Sequence, residues 1–469
     1  MANLKSETKA STFKYKNTVI FLVIFIGLGA ITGMYLEVLF QYNKQMLVSP
    51  LYKNGYYIII GIYFMLTWGI TSMYGGFKIG THRITEIIYS QLIAITFVNI
   101  ITYFQVSLIA RTLLGFYPIL LLEAAQGIFI AIWAYISNRT YFLLTPPKKL
   151  MLIYGLDYPQ ELITKIQNRD DKYNIVLEVS EKQLILEKDN TIAYHIGNDN
   201  KYDAVMICDV SSELQAYLKE YCFINDKRLY VVPEIVDIVT NNADQIQLFD
   251  TPLFLCRNSG LSQEQKVLKR IIDLAISIIG IVILSPFMII TAIAIKLHDG
   301  GPAFYTQKRI TKGGKEFIVY KFRSMIVSAE DDGVQRLSTR GDARITGVGK
   351  FIRKIRFDEV PQLFNVFSGE MSLVGPRPER PEITLEYEKT IPEFRARLKV
   401  KAGITGYAQV FGNYNTSPKD KLILDIIYIT NYSILLDLRI IMTTIKIIFM
   451  PEKTEGISGE TPTALRKNK

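Results

Sequence analysis

Long apolar runs separated by short polar stretches fill the first third of the chain. Each run has about the twenty residues that an α-helix needs to cross a hydrocarbon core of roughly 30 Å. The polar residues 1–16 come first and are interpreted as a disordered cytoplasmic lead. The pattern predicts a bundle of four transmembrane helices within residues 17–140, at about residues 18–40, 56–75, 86–108 and 114–137.

Basic residues orient these helices, because lysine and arginine collect in cytoplasmic loops. Lysines precede the first run, Lys78 and Arg83 lie between the second and third, and Lys148 follows the fourth. Four crossings therefore return the chain to the cytoplasm. The contrast is weakened by three basic residues on the other side, namely Lys44, Lys53 and Arg111. We predict a multi-pass membrane protein.

Residues 148–260 change to short apolar runs that alternate with polar helical stretches. This alternation favours a small α/β domain with a parallel sheet, Rossmann-like in outline. The Gly-x-Gly-x-x-Gly fingerprint of dinucleotide binding is missing after the first strand, so we interpret the domain as non-catalytic. The predicted elements are strands at residues 150–154, 202–209, 229–232 and 253–255, and a helix at residues 211–221.

Residues 271–297 form a further apolar run, which contains Ser285 and Pro286 near its middle. A proline inside a helix removes a backbone donor and clashes with the preceding turn, so we expect a break there. Both flanks are basic, which places both ends in the cytoplasm. The run is therefore predicted to be a re-entrant helix-break-helix, and the alternative is an ordinary proline-kinked spanning helix.

Two adjacent carboxylates, Asp358 and Glu359, precede a predicted short helix that begins at Pro361 and ends before Gly369. Acidic residues in this position are ordinary helix caps. Here, however, they lie among arginines, and a helix start with free amide groups favours anions. The arginines and lysine expected to bind phosphate around them are Arg353, Lys354, Arg356, Arg377 and Arg380.

Arg377 is the strongest phosphate-binding candidate, because Pro376 and Pro378 restrict its backbone. Anionic phosphate groups bound at this site would repel the two carboxylates, so a neutralising cation is required. Mg²⁺ is the expected cofactor, with Glu359 as its first candidate ligand and Asp358 as the second.

The net charge of +10 suits an anionic lipid surface and anionic substrates. Nucleic acid is rejected as a partner, because the basic residues alternate with apolar runs and match no nucleic-acid-binding module. The three cysteines and three histidines have no paired spacing, so no zinc site or disulfide framework is indicated.

Residues 265–450 resemble the bacterial sugar transferase family, the monotopic polyprenyl-phosphate phosphoglycosyltransferases. The resemblance includes the family's Asp-Glu-Leu-Pro-Gln segment, which reads Asp-Glu-Val-Pro-Gln here, with Val360 as the third residue. It also rests on further segments spread along the same region in order: Lys269 to Asp273, Ser285-Pro286, Gly301-Pro302, Tyr320 to Met325, Val374 to Arg380 and Gly403 to Gly406.

The resemblance implies a protein of the bacterial inner (cytoplasmic) membrane with a C-terminal α/β monotopic catalytic domain on the cytoplasmic face, as in the long enzymes that begin exopolysaccharide or capsule repeat units. It implies transfer of a hexose-1-phosphate from a UDP-sugar to undecaprenyl phosphate, through a phosphosugar intermediate on Asp358. It also makes Lys321 and Arg323 candidates for substrate-phosphate contact.

The implied partners are the UDP-sugar, undecaprenyl phosphate and the lipid bilayer. The sequence does not name the sugar, and the oligomeric state stays open, with a homodimer among the alternatives. The competing hypothesis is a non-catalytic membrane scaffold or regulator of a polysaccharide assembly complex. Residues 451–469 are rich in polar side chains and are interpreted as a disordered tail.

Overall fold

The computed structural model describes residues 16–45, 53–186, 201–256, 260–326, 342, 344–412 and 416–448. The chain divides into two compact units, Met1–Val232 and Pro233–Lys469. The predicted disordered tail and nearly all of the predicted lead lie outside the described residues.

The four predicted helices of the first unit are confirmed. No proline interrupts them except Pro118, which occupies the first turn of the fourth helix and is tolerated there. The largest shift from prediction is at the end of that helix, which continues to Leu144. The helices are α1 (Lys16–Gln45), α2 (Lys53–Tyr74), α3 (Ile84–Ala110) and α4 (Tyr117–Leu144).

A polar network crosses the buried interior of this bundle. The Tyr63 hydroxyl donates to Asn99 Oδ1 at 2.9 Å, and Asn99 donates to Gln126 Oε1 at 2.9 Å. Gln126 in turn donates to the Ile31 carbonyl at 3.2 Å. One set of hydrogen bonds therefore joins all four helices, as expected where polar groups lie inside an apolar bundle.

A four-stranded parallel sheet follows the bundle, with the strand order β2-β1-β3-β4. Three of the four predicted strands lie in it. β2 is not among the predicted strands, although Ile175 to Leu177 form a short apolar run within it. Its elements are β1 (Lys148–Tyr154), α5 (Gln160–Gln167), β2 (Tyr173–Ser180), α6 (Glu181–Leu186), β3 (Ala204–Cys208), α7 (Ser212–Ile224) and β4 (Arg228–Val231).

The fourth predicted strand, at residues 253–255, does not join the parallel sheet. It lies in β6 (Thr251–Leu255), which pairs antiparallel with β5 (Asp244–Leu248) in the second unit, after α8 (Ile235–Asn241). An apolar run predicts a strand, but it carries no information on which sheet the strand enters.

The second unit is built on one long helix, α9 (Gln263–Asp299), which contains Pro286. The backbone stays helical through Ser285-Pro286. The predicted change of helix direction there, on which the re-entrant path depends, stays a prediction. The Ser285 hydroxyl donates at 2.9 Å to the Val282 carbonyl, the group that loses its backbone donor at Pro286. A serine side chain can replace such a donor and let the helix continue.

The side of α9 that faces the protein carries its polar side chains. Lys269 donates to Asp437 at 2.5 Å, and Asp273 accepts a 3.0 Å hydrogen bond from the Leu373 amide. The opposite side is apolar and exposed along most of the helix, at Ile271, Ile278, Ile279, Val282, Ile283, Phe287, Ile289, Ile290 and Ile293. A surface helix of a soluble protein buries its apolar side and exposes its polar side. The opposite arrangement in α9 is typical of a helix in contact with lipid.

The segment Lys312-Gly313-Gly314-Lys315 after α9 predicts a hairpin turn. The hairpin is confirmed as β7 (Phe304–Ile310) and β8 (Glu316–Phe322), which pair antiparallel. A short parallel pair, β9 (Ser372–Val374) and β10 (Gly403–Thr405), lies beyond it. The helices of this region are α10 (Gly347–Lys354), α11 (Gln362–Ser368), α12 (Pro381–Thr390), α13 (Tyr407–Phe411), α14 (Pro418–Thr430) and α15 (Ile434–Ile448), with a 3-10 segment at Pro392–Lys399.

Five helices of the described chain, α1 to α4 and α9, are long and apolar enough to cross a membrane. These helices are consistent with a bacterial membrane protein.

Candidate active site

The two carboxylates lie on a single 3-10 turn, Phe357–Glu359, directly before α11. Arg356 precedes this turn in the left-handed region, with φ 53°, and redirects the chain after α10. Pro361 caps α11, and Gly369 ends it with φ 90°. The predicted short helix is thus confirmed, with its first helical residue at Gln362.

The positive charge at this turn comes from side chains more than from free amides. The amides of Glu359, Val360 and Leu363 donate to carbonyls three residues back. The expectation that free amides of the helix start would lie beside the carboxylates is therefore wrong for these three groups, because the 3-10 turn consumes their donors.

Of the two carboxylates, Glu359 is the one that forms ion pairs with basic side chains. Its Oε1 accepts from Lys321 Nζ at 2.7 Å and from Arg377 Nη2 at 3.0 Å. Burial alone would raise the pKa of Glu359, but Lys321 and then Arg377 outweigh it and keep that pKa well below its usual value. Glu359 is therefore ionised throughout the physiological pH range.

Asp358, its neighbour, is in the opposite electrostatic state. Burial, followed by the negative charge of Glu359, raises the pKa of Asp358 to about 6. Lys321, Arg353 and Arg377 oppose the rise without cancelling it. The two adjacent carboxylates thus differ: Glu359 is paired with cations, and Asp358 is unusually basic for a carboxylate.

Six of the seven predicted phosphate-binding residues divide into two groups, and the seventh, Lys354, is exposed at the end of α10. Lys321, Arg353, Arg356 and Arg377 all act electrostatically on Asp358 or Glu359. One guanidinium nitrogen of Arg353, Nη1, is buried and has no hydrogen-bond partner within the described part of the chain. These four residues converge on the carboxylates as the sequence suggested.

Arg323 and Arg380 are placed differently. Arg323 is buried and forms an ion pair with Asp299 at the end of α9, so this guanidinium joins the long helix to β8. Arg380 begins α12 and lies near Arg309, whose pKa falls to about 10 through burial and then through Arg377 and Arg380. A phosphate contact by either residue stays a prediction.

Two arginines that sequence reasoning did not assign to the site support the backbone of Arg377. Arg397 donates to the Arg377 carbonyl at 3.0 Å, and Arg309 donates to the Pro378 carbonyl at 3.0 Å. Arg397 lies in the basic stretch Thr390 to Val400, for which the sequence leaves open a helix in the plane of the membrane or core packing. No local pattern distinguishes a buried arginine from an exposed one, so no available signal could have identified it.

The donor set fits a hard cation with few protein ligands. Within the part of the chain that the structure describes, no group of three or more His, Cys, Asp or Glu side chains could hold a metal ion. Mg²⁺ commonly uses one or two carboxylates and completes its shell with water and substrate phosphates. Asp358 and Glu359 meet that requirement.

The match to a known family covers this whole region. The model of the family described as "Bacterial sugar transferase" matches residues 264–451. A relative from Bacillus subtilis (strain 168), provisionally described as an undecaprenyl-phosphate N-acetylgalactosaminyl 1-phosphate transferase, is 47% identical over 131 residues, which are 28% of this chain and 73% of that protein. The chain belongs to the bacterial sugar transferase family.

Longer members of this family show the same likeness. A UDP-N-acetylgalactosamine-undecaprenyl-phosphate N-acetylgalactosaminephosphotransferase from Aeromonas hydrophila is 37% identical over 255 residues, 53% of this chain and 59% of that protein. A UDP-glucose:undecaprenyl-phosphate glucose-1-phosphate transferase from Xanthomonas campestris pv. campestris is 37% identical over 221 residues, 46% of each chain. The matches thus span about half the length of these relatives.

Proposed function

We propose that this chain transfers a hexose-1-phosphate from a UDP-sugar to undecaprenyl phosphate, as the first membrane step of exopolysaccharide or capsule repeat-unit synthesis. The observation that carries the proposal is the pairing of Glu359 with Lys321 and Arg377 directly beside Asp358. The names of the relatives support the substrate classes, and residues 265–450 are assigned to catalysis.

The reaction proceeds in two displacements at one phosphorus atom. An ionised oxygen of Asp358 attacks the phosphorus nearer the sugar, the bond from that phosphorus to the bridging oxygen breaks, and UMP leaves. An oxygen of undecaprenyl phosphate then attacks the same phosphorus and releases the Asp358 carboxylate. Covalent catalysis lets one small site serve two bulky anions in turn.

The cationic side chains bind and orient the diphosphate during both steps. Arg377 and Lys321 already lie at hydrogen-bond distance from the Glu359 carboxylate, so a phosphate oxygen close to it falls within their reach. Glu359 and Asp358 would hold Mg²⁺, which supplies positive charge toward the phosphate oxygens when it is bound. Rigid placement of charge is the main requirement of phosphoryl transfer.

The membrane arrangement of α9 is part of the same proposal. Lys269 near its start binds Asp437, and Asp299 at its end binds Arg323, so one folded unit contacts both ends of the helix. With the basic flanks, these contacts support a segment that enters the inner leaflet and returns to the cytoplasmic side. The parallel sheet β1 to β4, which lies in the Rossmann-like domain predicted at residues 148–260, is assigned no catalytic role.

Asp358→Asn tests the proposal directly. Purified full-length protein in detergent, with UDP-sugar, Mg²⁺ and undecaprenyl phosphate, should release UMP and form a radiolabelled phosphosugar adduct. We expect the variant to lose both by at least about 1,000-fold, because an amide is not a nucleophile here. The exposed Glu393→Gln is the matched control and should retain both activities. Undiminished turnover by the Asp358 variant would refute the assignment.

A panel of donors identifies the sugar. The relatives are named for different sugars, N-acetylgalactosamine and glucose among them. UMP release should therefore be compared for UDP-glucose, UDP-galactose and their N-acetylated forms. Silence with every donor would instead support the non-catalytic scaffold or regulator.

A further inference from the structure

A short backbone segment that carries Arg377 is fixed from several directions. Each carbonyl from Pro376 to Glu379 accepts a hydrogen bond from another part of the chain. The Gly403 amide binds the Pro376 carbonyl at 2.9 Å, and the Ile310 amide binds the Glu379 carbonyl at 3.1 Å. The other two donors are the side chains of Arg397 and Arg309. Pro376 and Pro378 remove the remaining backbone freedom.

The arginine that holds the Arg377 carbonyl is itself buried and paired. The Arg397 side chain is 5% exposed, and it lies 2.8 Å from Asp425 Oδ2, in a carboxylate that is 1% exposed. The ring of Phe394 lies 4.8 Å beneath its guanidinium carbon, and Glu379 is 3.6 Å away. Removing two charges from water is costly, and such a pair often contributes little net stability compared with apolar residues of similar volume.

We propose that Arg397, held in place by Asp425, is a positioning residue for Arg377. The inference rests on the proposed function only for its effect on turnover. Three contacts connect these residues. Asp425 forms an ion pair with the Arg397 guanidinium, Arg397 donates a hydrogen bond to the Arg377 carbonyl, and the Arg377 guanidinium forms an ion pair with Glu359.

The support of its backbone matters for Arg377 because its side chain is partly exposed. Its side chain is 44% exposed, so apart from the ion pair with Glu359 its position depends on the backbone that carries it. A long arginine that is free to move binds a phosphate at an entropic cost. A displacement of about 1 Å at such a contact can reduce a rate by about 100-fold.

Replacing the whole pair separates positioning from folding. Arg397→Met combined with Asp425→Leu removes both buried charges together, so the protein should fold and melt close to the wild type. We nevertheless expect kcat/KM for the UDP-sugar to fall about 10- to 100-fold, with a similar weakening of UDP binding measured by calorimetry. Arg395→Met, at an exposed arginine of the same 3-10 segment, is the control and should change neither quantity.

The decisive test repeats the pair replacement in a protein that carries Arg377→Ala. If Arg397 acts through Arg377, the pair replacement should cost less than about threefold once the Arg377 side chain is gone, because coupled residues are not additive. Losses that multiply, or a pair variant with wild-type kcat/KM and UDP affinity, would overturn the inference.

The two proposals fail in different ways. A wild type that binds UDP but releases no UMP would remove the transfer function, and the UDP-affinity cycle would still decide on Arg397. A wild type that neither binds UDP nor releases UMP would overturn both.

Discussion

Lys321 Nζ lies 2.7 Å from Glu359 Oε1, and both side chains are mostly buried, at 20% and 13% exposure. The lysine comes from β8 and the glutamate from the turn before α11, so the ion pair joins two elements that are distant in sequence. Burial lowers the pKa of Lys321, while Glu359 opposes that change. The pair fixes the charge of Glu359, and Asp358 remains beside it as the more basic carboxylate.

The first prediction concerns removal of the lysine. Lys321→Met leaves Glu359 without its nearest cation, so we expect about 3 kcal/mol of lost stability and about 100-fold lower transfer. Lys308→Met is the control on the same hairpin. Lys308 lies 3.6 Å from Glu316 in an exposed pair, and its loss should change the unfolding free energy by less than about 1 kcal/mol. Equal effects in chemical unfolding would contradict the prediction.

The second prediction concerns the ionisation of Asp358. Because its pKa is raised to about 6, its carboxyl should lose its proton as pH rises through 6, and nucleophilic attack should require the higher pH. Glu359→Gln removes a cause of the rise and should lower this pKa, whereas Lys321→Met removes an opposing cation and should raise it further.

Infrared difference spectra against Asp358→Asn, recorded in EDTA between pH 4 and 8, measure this transition directly. The carbonyl band of the protonated acid should disappear near pH 6 in the wild type. Shifts of the same sign in both variants, or a transition near pH 4, would be incompatible with this account.

The third prediction concerns the hydroxyl that supports α9 at its proline. Ser285→Ala leaves the Val282 carbonyl without a donor in an apolar setting, at a cost of about 1 to 2 kcal/mol. Pro286→Ala restores the backbone donor, so the serine hydroxyl becomes redundant. The serine change should therefore cost almost nothing in the Pro286→Ala background. Thermal unfolding in detergent measures this cycle, and additive losses would count against it.

The elements that the sequence predicted correctly depend on local signals. Pro361 and Gly369 delimit α11 because each acts on its own backbone. The Lys312 to Lys315 turn between β7 and β8 has the same local origin, with Gly313 and Gly314 both at positive φ. The length of the apolar runs alone was enough to predict the helices α1 to α4.

The parts that the sequence did not predict depend on partners that are distant along the chain. The ion pair of Arg323 with Asp299 and that of Arg397 with Asp425 each join separate elements, while phosphate contact by Arg323 stays a prediction. Spacing in the sequence contains none of these pairings.

The last prediction concerns the membrane path of α9. Its 37 residues make a helix of about 55 Å, enough to cross a core of roughly 30 Å. A crossing would leave Asp358 outside the cell without a nucleotide donor, whereas the contacts of Lys269 and Asp299 with one folded unit favour a return to the cytoplasmic side. Single cysteines at Lys266 and His298, in a chain without its native cysteines, should therefore react with an impermeant maleimide only after permeabilisation. Thr112→Cys, in the predicted external loop between α3 and α4, is the control and should react in intact cells. Labelling of the His298 position in intact cells would place the carboxylates outside and contradict the proposed chemistry.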